Sequence, residues 1–121
     1  MHESLYPLLD LVLPQGLKDY FELKDYQQSE EEIHIYLEEF NHQPDGYEKT
    51  QLTSKGFFNE VIIQDFPLRG KQVFMHIKRR RWIKTGTTQV VQRDWELVAK
   101  GTRITKDFAS FLKEIHRFTS F

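Results

Sequence analysis

Along this chain the apolar positions recur first at helical spacing, then at strand spacing, and finally at helical spacing again. Leu5, Leu8, Leu9 and Val12 fall at i, i+3, i+4 and i+7. Ser4 is placed to cap this short helix, and Pro7 lies within its first turn, where a missing N–H costs little. Pro14 and Gly16 end it. A period of two follows. Phe21 and Leu23 share one face and Glu22 and Lys24 the other. Ile33, Ile35 and Leu37 then oppose Glu32, His34, Tyr36 and Glu38, and the polar run Gln27 to Glu31 between the two strands reads as a hairpin turn. Residues 41–54 carry Pro44 and the turn pair Asp45-Gly46 without any period. Loops of that length in compact domains are mobile or functional segments.

A third strand is expected over Phe57–Phe66 and, after the turn Pro67-Leu68-Arg69-Gly70, a long fourth over Lys71–Ile83. A fifth spans Gln89–Ala99, with Val91, Trp95, Leu97 and Ala99 as its apolar stripe. Gly101-Thr102 breaks the chain. Thr105 then caps a closing helix with Phe108, Phe111, Leu112, Ile115 and Phe118 on one side, while Asp107 near its start and Arg117 near its end suit the helix dipole. The pattern predicts an α+β fold: an antiparallel sheet of about five strands, a short N-terminal helix and a longer C-terminal helix, in a single domain over residues 1–121.

Composition narrows the function classes. With 39% hydrophobic and 14% aromatic residues the chain can bury a core. No apolar run reaches the roughly 18 residues that a bilayer span needs. The opening MHESLYPLLD lacks the basic stretch and small-residue cleavage site of a signal peptide, so a cytoplasmic location without membrane contact is expected. Zero cysteines exclude a disulfide framework, a thiolate zinc site and a cysteine nucleophile. The six glycines are isolated, and none opens a phosphate-cradling loop. The five histidines form no metal-binding motif, and His34 and His76 read as outward strand histidines. Glu30-Glu31-Glu32 and Glu38-Glu39 read as solvated turns and guards of a strand edge. No nucleophile, base and orienting group stand together, so no catalytic residue, metal or cofactor is expected, and the chain is read as a non-enzyme.

Charge is where the sequence becomes specific. Residues 1–60 carry four lysines and thirteen acids, a net −9; residues 61–121 carry thirteen cations and five acids, a net +8. Between Leu68 and Lys84 lie Arg69, Lys71, Lys78, Arg79, Arg80, Arg81 and Lys84 without one acid. On a strand, Val73, Met75 and Ile77 share a face with Arg79 and Arg81, while Phe74, His76, Lys78, Arg80 and Trp82 share the other. The expected object is a ribbon rooted in the core, with a cationic tip protruding into solvent. β-Ribbons fit the major groove, arginines bind phosphate or guanine edges, and Trp82 is placed to stack on a base. Lys100 and Arg103, before the last helix, are added as a weaker phosphate site.

The segments "SKGFFNEVIIQDFPLRGKQVFMHIKRRRW" and "RDWELVAKGTRITKDFASFLKEI" also resemble the amino-terminal region of bacterial insertion-sequence transposases of the ISAon type. The likeness is most specific over Gln64 to Trp82, is supported by Leu97 to Arg103, and extends to the hairpin "EEIHIYLEEF". It implies a small non-catalytic module, preceding or encoded apart from a catalytic domain with an acidic triad, that helps engage double-stranded DNA at transposon ends. The same stretch is similar to the zinc-ribbon region of a broader transposase family in which cysteines follow the arginine-aromatic segment. Here Ile83, Lys84 and Thr85 follow Trp82, so no zinc is expected.

Two expectations follow. As a DNA-binding module, the chain should contact phosphates through the seven cations. With about four neutralised, log affinity falls with log salt at a slope of roughly −3.6. Reversal of Arg79, Arg80 and Arg81 to Glu should abolish binding and spare the fold. The rival, from another class, is an interaction module that docks on the catalytic subunit or forms a homo-oligomer by pairing the acidic half of one copy with the basic half of the next.

Overall fold

A computed structural model describes residues 13, 16–101 and 105–119. The expected helix around Leu5–Val12 lies outside the described residues. The rest is α+β. Seven strands form two sheets: β1 (Phe21–Gln28), β2 (Glu32–Glu39), β4 (Val61–Leu68) and β5 (Lys71–Lys78) in one, β3 (Leu52–Phe57), β6 (Arg80–Lys84) and β7 (Val90–Val91) in the other. Two helices follow, α1 (Trp95–Gly101) and α2 (Lys106–Thr119). No helix among the described residues is long and apolar enough to cross a membrane.

The first hairpin forms as its alternation predicts. Ser29 closes the turn by donating its N–H to the Glu32 carbonyl, and its hydroxyl accepts the Glu32 N–H. Ile35 and Leu37 are buried, while Glu32, His34, Tyr36 and Glu38 lie on the other face. The second hairpin turns through Arg69-Gly70, both at positive φ (52° and 79°), the backbone of a two-residue turn matched to strand twist.

The expected single antiparallel sheet is corrected in two ways. The order of the large sheet is β1-β2-β5-β4, and its central strands β2 and β5 run parallel. A parallel pair needs a long crossover, here residues 40–70, which also contribute β3 and β4. The long strand over Lys71–Ile83 is in fact two strands: at Arg79 the chain leaves the large sheet and enters the small one. The Arg79 carbonyl there accepts the N–H of Phe58.

The irregular stretch is shorter than its composition suggests. A 3-10 turn over Lys49–Gln51 leads directly into β3, while the third expected strand begins at Val61 rather than Phe57. Gln43 ties the stretch down by donating to the carbonyls of Lys49 and Leu52.

The fifth expected strand survives only as Val90–Val91, and Trp95–Gly101 is a helix. Asp94 caps it, its carboxylate accepting the N–H groups of Glu96 and Leu97 at 3.1 and 3.2 Å. Trp95, Val98 and Ala99 pack toward the core at helical spacing, and Leu97 is 61% exposed, the reverse of what alternation required. α2 starts where predicted, with the Thr105 hydroxyl accepting the Phe108 N–H. Thr105→Ala should therefore cost about 1 kcal/mol in urea denaturation. Phe108, Ala109 and Leu112 face inward, whereas Phe111 is 40% exposed; the side chains of Ile115 and Phe118 lie outside the described residues.

The two helices cover one face of the large sheet. Leu17, Phe21, Ile35, Leu37, Val61, Ile63, Val73, Met75 and Ile77 meet Trp95, Ala109 and Leu112 there, with the Phe21 ring stacked on Trp95 at 5.3 Å. A second, smaller core of Leu52, Trp82 and Val91, with Tyr47 against it, sits under the small sheet. The opposite face of the large sheet carries no helix among the described residues.

Candidate functional site

The cationic segment does not protrude. Arg79 follows Val73, Met75 and Ile77 on the inward face, as alternation dictates, and is 0% exposed. Its guanidinium donates to the Leu112 carbonyl of α2 at 2.8 Å and lies over the Phe58 ring. Burial pulls its pKa below the ordinary arginine value, with Glu39 opposing. Arg80 is half-buried over the Phe57 ring at 4.3 Å, and its guanidinium donates to the Glu39 carbonyl. Trp82 is 0% exposed and donates its indole N–H to Asn41 at 3.0 Å. The expected protruding tip is thus corrected: Arg79 and Trp82 have no surface with which to meet phosphate or base.

These residues surround a buried carboxylate that the sequence had assigned to a solvated pair. Glu39, at the end of β2, is 1% exposed. One oxygen accepts the backbone N–H of Arg80 at 2.7 Å, and the other accepts Nε–H of Arg93 at 2.8 Å. Arg93 also donates to the His42 carbonyl, and its guanidinium lies against Tyr20, Trp82 and Trp95. Burial raises the Glu39 pKa from its ordinary 4.5; the hydrogen bond and charge of Arg93, and then Arg80, pull it back only in part. The cluster joins the end of β2, the β5–β6 junction and the segment before α1. Its work is to hold two sheets together.

The other expected contacts are scattered. Arg69 is exposed at its turn, and Lys71 donates to the Ser29 carbonyl at 2.7 Å beside the acidic turn Glu30-Glu31. Lys78 is half-buried and in register with Glu38. Lys100 is exposed on α1, and Arg103 lies outside the described residues. Arg81 and Lys84 remain together on β6, both half-buried.

Beside them stands a cation the sequence reading missed. Ser54 pairs with Trp82 and Phe57 with Arg80, so Lys55 and Gly56 together oppose the single Arg81. This is a β-bulge, and Gly56 takes the positive φ of 74° that it requires. Lys55, exposed, is thereby set beside Arg81. The only available signal was Gly56, between the irregular stretch over residues 41–54 and the strand expected from Phe57.

A second missed cluster lies on the face of the large sheet that carries no helix among the described residues. His34 Nδ1 and His76 Nε2 are 2.7 Å apart. The far nitrogens meet carboxylates, His34 Nε2 with Glu32 at 2.8 Å and His76 Nδ1 with Glu60 at 3.1 Å. Phe74 stacks on His34 at 5.0 Å and Tyr36 on His76 at 4.3 Å. Among the described residues no three or more His, Cys, Asp or Glu side chains converge to hold a metal ion. Comparison with protein-family models, with curated proteins and with solved structures finds no match to this chain.

Proposed function

We propose that this chain is a non-catalytic, DNA-binding amino-terminal module of an insertion-sequence transposase, and that it meets transposon-end DNA with its small sheet. The observation that carries this reading is the segregation of charge between the sheets. The strands of the small sheet contain Lys55, Arg80, Arg81 and Lys84 and no carboxylate, whereas those of the large sheet contain six carboxylates and three cations. Arg81, Ile83, Thr53 and Val90 share the outer face of the small sheet, with Lys55 at its bulge. A cationic β-surface is one that a DNA groove admits, and a field free of acids favours a polyanion. The resemblance over Gln64–Trp82 supplies the family. Strand transfer would fall to a catalytic domain encoded apart or downstream.

The test is fluorescence anisotropy against transposon-end DNA across a salt series. With about two phosphates neutralised, by Lys55 and Arg81, the slope of log affinity on log salt is roughly −1.8. Lys55→Glu should weaken binding and make the slope shallower by about 0.9, with an unchanged circular dichroism spectrum. Binding that ignores salt, or none at low salt, overturns the reading. Reversal of Arg79 is no longer a surface test, since it buries a charge of the wrong sign beside Glu39.

The acidic face of the large sheet, which carries no helix among the described residues, favours a second reading, a module that docks on a basic surface of the catalytic subunit. Light scattering of that mixture at low and high salt separates the two: a charge-paired complex forms without DNA and dissociates as salt rises.

A further inference from the structure

The histidine pair takes no part in the DNA reading, and its proton count does not close for two ordinary imidazoles. Four ring nitrogens make three contacts: Glu32 with His34, His34 with His76, and His76 with Glu60. Each contact needs one proton between its atoms. Two neutral imidazoles bring only two, so one contact would set a bare lone pair against another lone pair or a carboxylate. A third proton satisfies all three.

We propose that Glu32, His34, His76 and Glu60 hold this third proton in the folded protein, and that it couples the pairing of β2 with β5 to pH. The two rings stand on the parallel central strands, where Tyr36 is in register with His76 and His34 with Phe74. Removing the proton would leave one of the three contacts with two acceptors facing each other at 2.7–3.1 Å and push those side chains apart. A metal ion does not fit the same gap. Two nitrogens on a tetrahedral zinc, each about 2.0–2.1 Å from it, lie about 3.3 Å from each other.

The surroundings favour positive charge at the pair. On β2 it is flanked by Glu32 and Glu38, on β1 by Asp25 and Gln27, before β4 by Glu60, on β4 by Ile62 and Gln64, and on β5 by Gln72 and Lys78. Lys78 is the one cation of this set, and it lies in register with Glu38. His76 is 9% exposed, so water cannot readily take the place of a lost contact.

The sign of the effect follows from linkage. Where the folded state binds more protons than the unfolded chain, stability falls as pH rises. Above the ordinary imidazole range near pH 6.5 the unfolded histidines are neutral. For one retained proton the folding constant therefore drops by up to about tenfold per pH unit, until the quartet releases it. Glu60→Gln is the informative variant. Its amide N–H₂ can donate to His76 Nδ1, which closes all three contacts with only two ring protons.

The experiment is urea denaturation of the full chain and of Glu60→Gln between pH 6 and 9, paired with imidazole ¹⁵N spectra of the wild type. The expected result is a decline in wild-type stability that Glu60→Gln lacks, and spectra at neutral pH in which the pair carries three protons, shared between the rings or with a carboxylate. Parallel pH profiles, or spectra showing two ring protons and two ionised carboxylates, overturn the proposal. So does added zinc that stabilises the wild type and not a His34→Gln variant, since a metal would then be the natural occupant. The spectra decide the matter even if the variant does not fold.

Discussion

Glu39→Ala should bring the chain to the edge of unfolding, with a loss of about 3–5 kcal/mol in urea denaturation. The expectation rests on what the carboxylate leaves behind. Arg93 is 9% exposed and loses its only ion-pair partner among the described residues, while the Arg80 N–H loses its acceptor. An uncompensated buried charge is the costliest of these deficits, and total stabilities of about 5–15 kcal/mol leave little reserve. Glu39→Gln separates the two terms, since its amide oxygen still accepts the Arg80 N–H while the charge and the acceptor for Arg93 Nε–H are lost. The variant should also change the pH profile. Because burial raises the Glu39 pKa, the folded chain keeps that proton at a pH where the unfolded chain, titrating near 4.5, has released it. The contribution of this group is therefore greatest below pH 4.5 and falls as pH rises through the raised value. In Glu39→Gln that fall should vanish. A Glu39→Ala loss under 1 kcal/mol would show that water reaches the cluster and that the arginines are not confined there.

How far the sequence carried the structure is clearest at Arg79. Strict alternation already put it on the face of Val73, Met75 and Ile77, and the structure keeps it there. What no pattern disclosed is that the chain changes sheets at that residue, so that the inward face continues into a core roofed by α2 instead of running out into solvent. Charge argued for exposure and periodicity for burial; periodicity was the better guide, because Leu112 and Glu39 give the guanidinium partners. Trp95 shows the opposite failure. Over so short an apolar run, spacings of two and of three to four are hard to tell apart, and the decisive mark was Asp94 as a cap. β3 was hidden by its own bulge, since Lys55-Gly56 interrupts alternation where the strand bends. The two histidines lie on the strand faces that alternation gave them, but His76 is buried there instead of exposed, because β2 and β5 lie side by side in parallel and bring the rings together. One sequence does not specify that partnership or its register.

Trp82→Ala is the variant with the other large effect, and it decides between the two readings of the residue with which the cationic run ends. As a base-stacking side chain, Trp82 would be dispensable to the fold, and its loss would appear only in DNA affinity. The structure instead makes it the centre of the small core, where Leu52 and Val91 are its only buried companions among the described residues. Removing a buried tryptophan costs about 3–5 kcal/mol, and a core of three residues cannot close over the cavity. The exposed Asn41 carbonyl that loses the indole N–H can turn to water, so the deficit is one of packing. The expected outcome is selective. Amide exchange should accelerate in β3, β6 and β7, whereas β2 and β5, backed by the larger core, should stay protected. The chain has two tryptophans, so Trp95 becomes the sole tryptophan and, excited beyond the tyrosine band, reports on that larger core directly. A blue-shifted Trp95 emission together with fast exchange in the small sheet is the predicted signature. If exchange in β3 and β6 matches the wild type, Trp82 does not hold the small sheet. If DNA affinity then falls, the residue belongs to the interface after all.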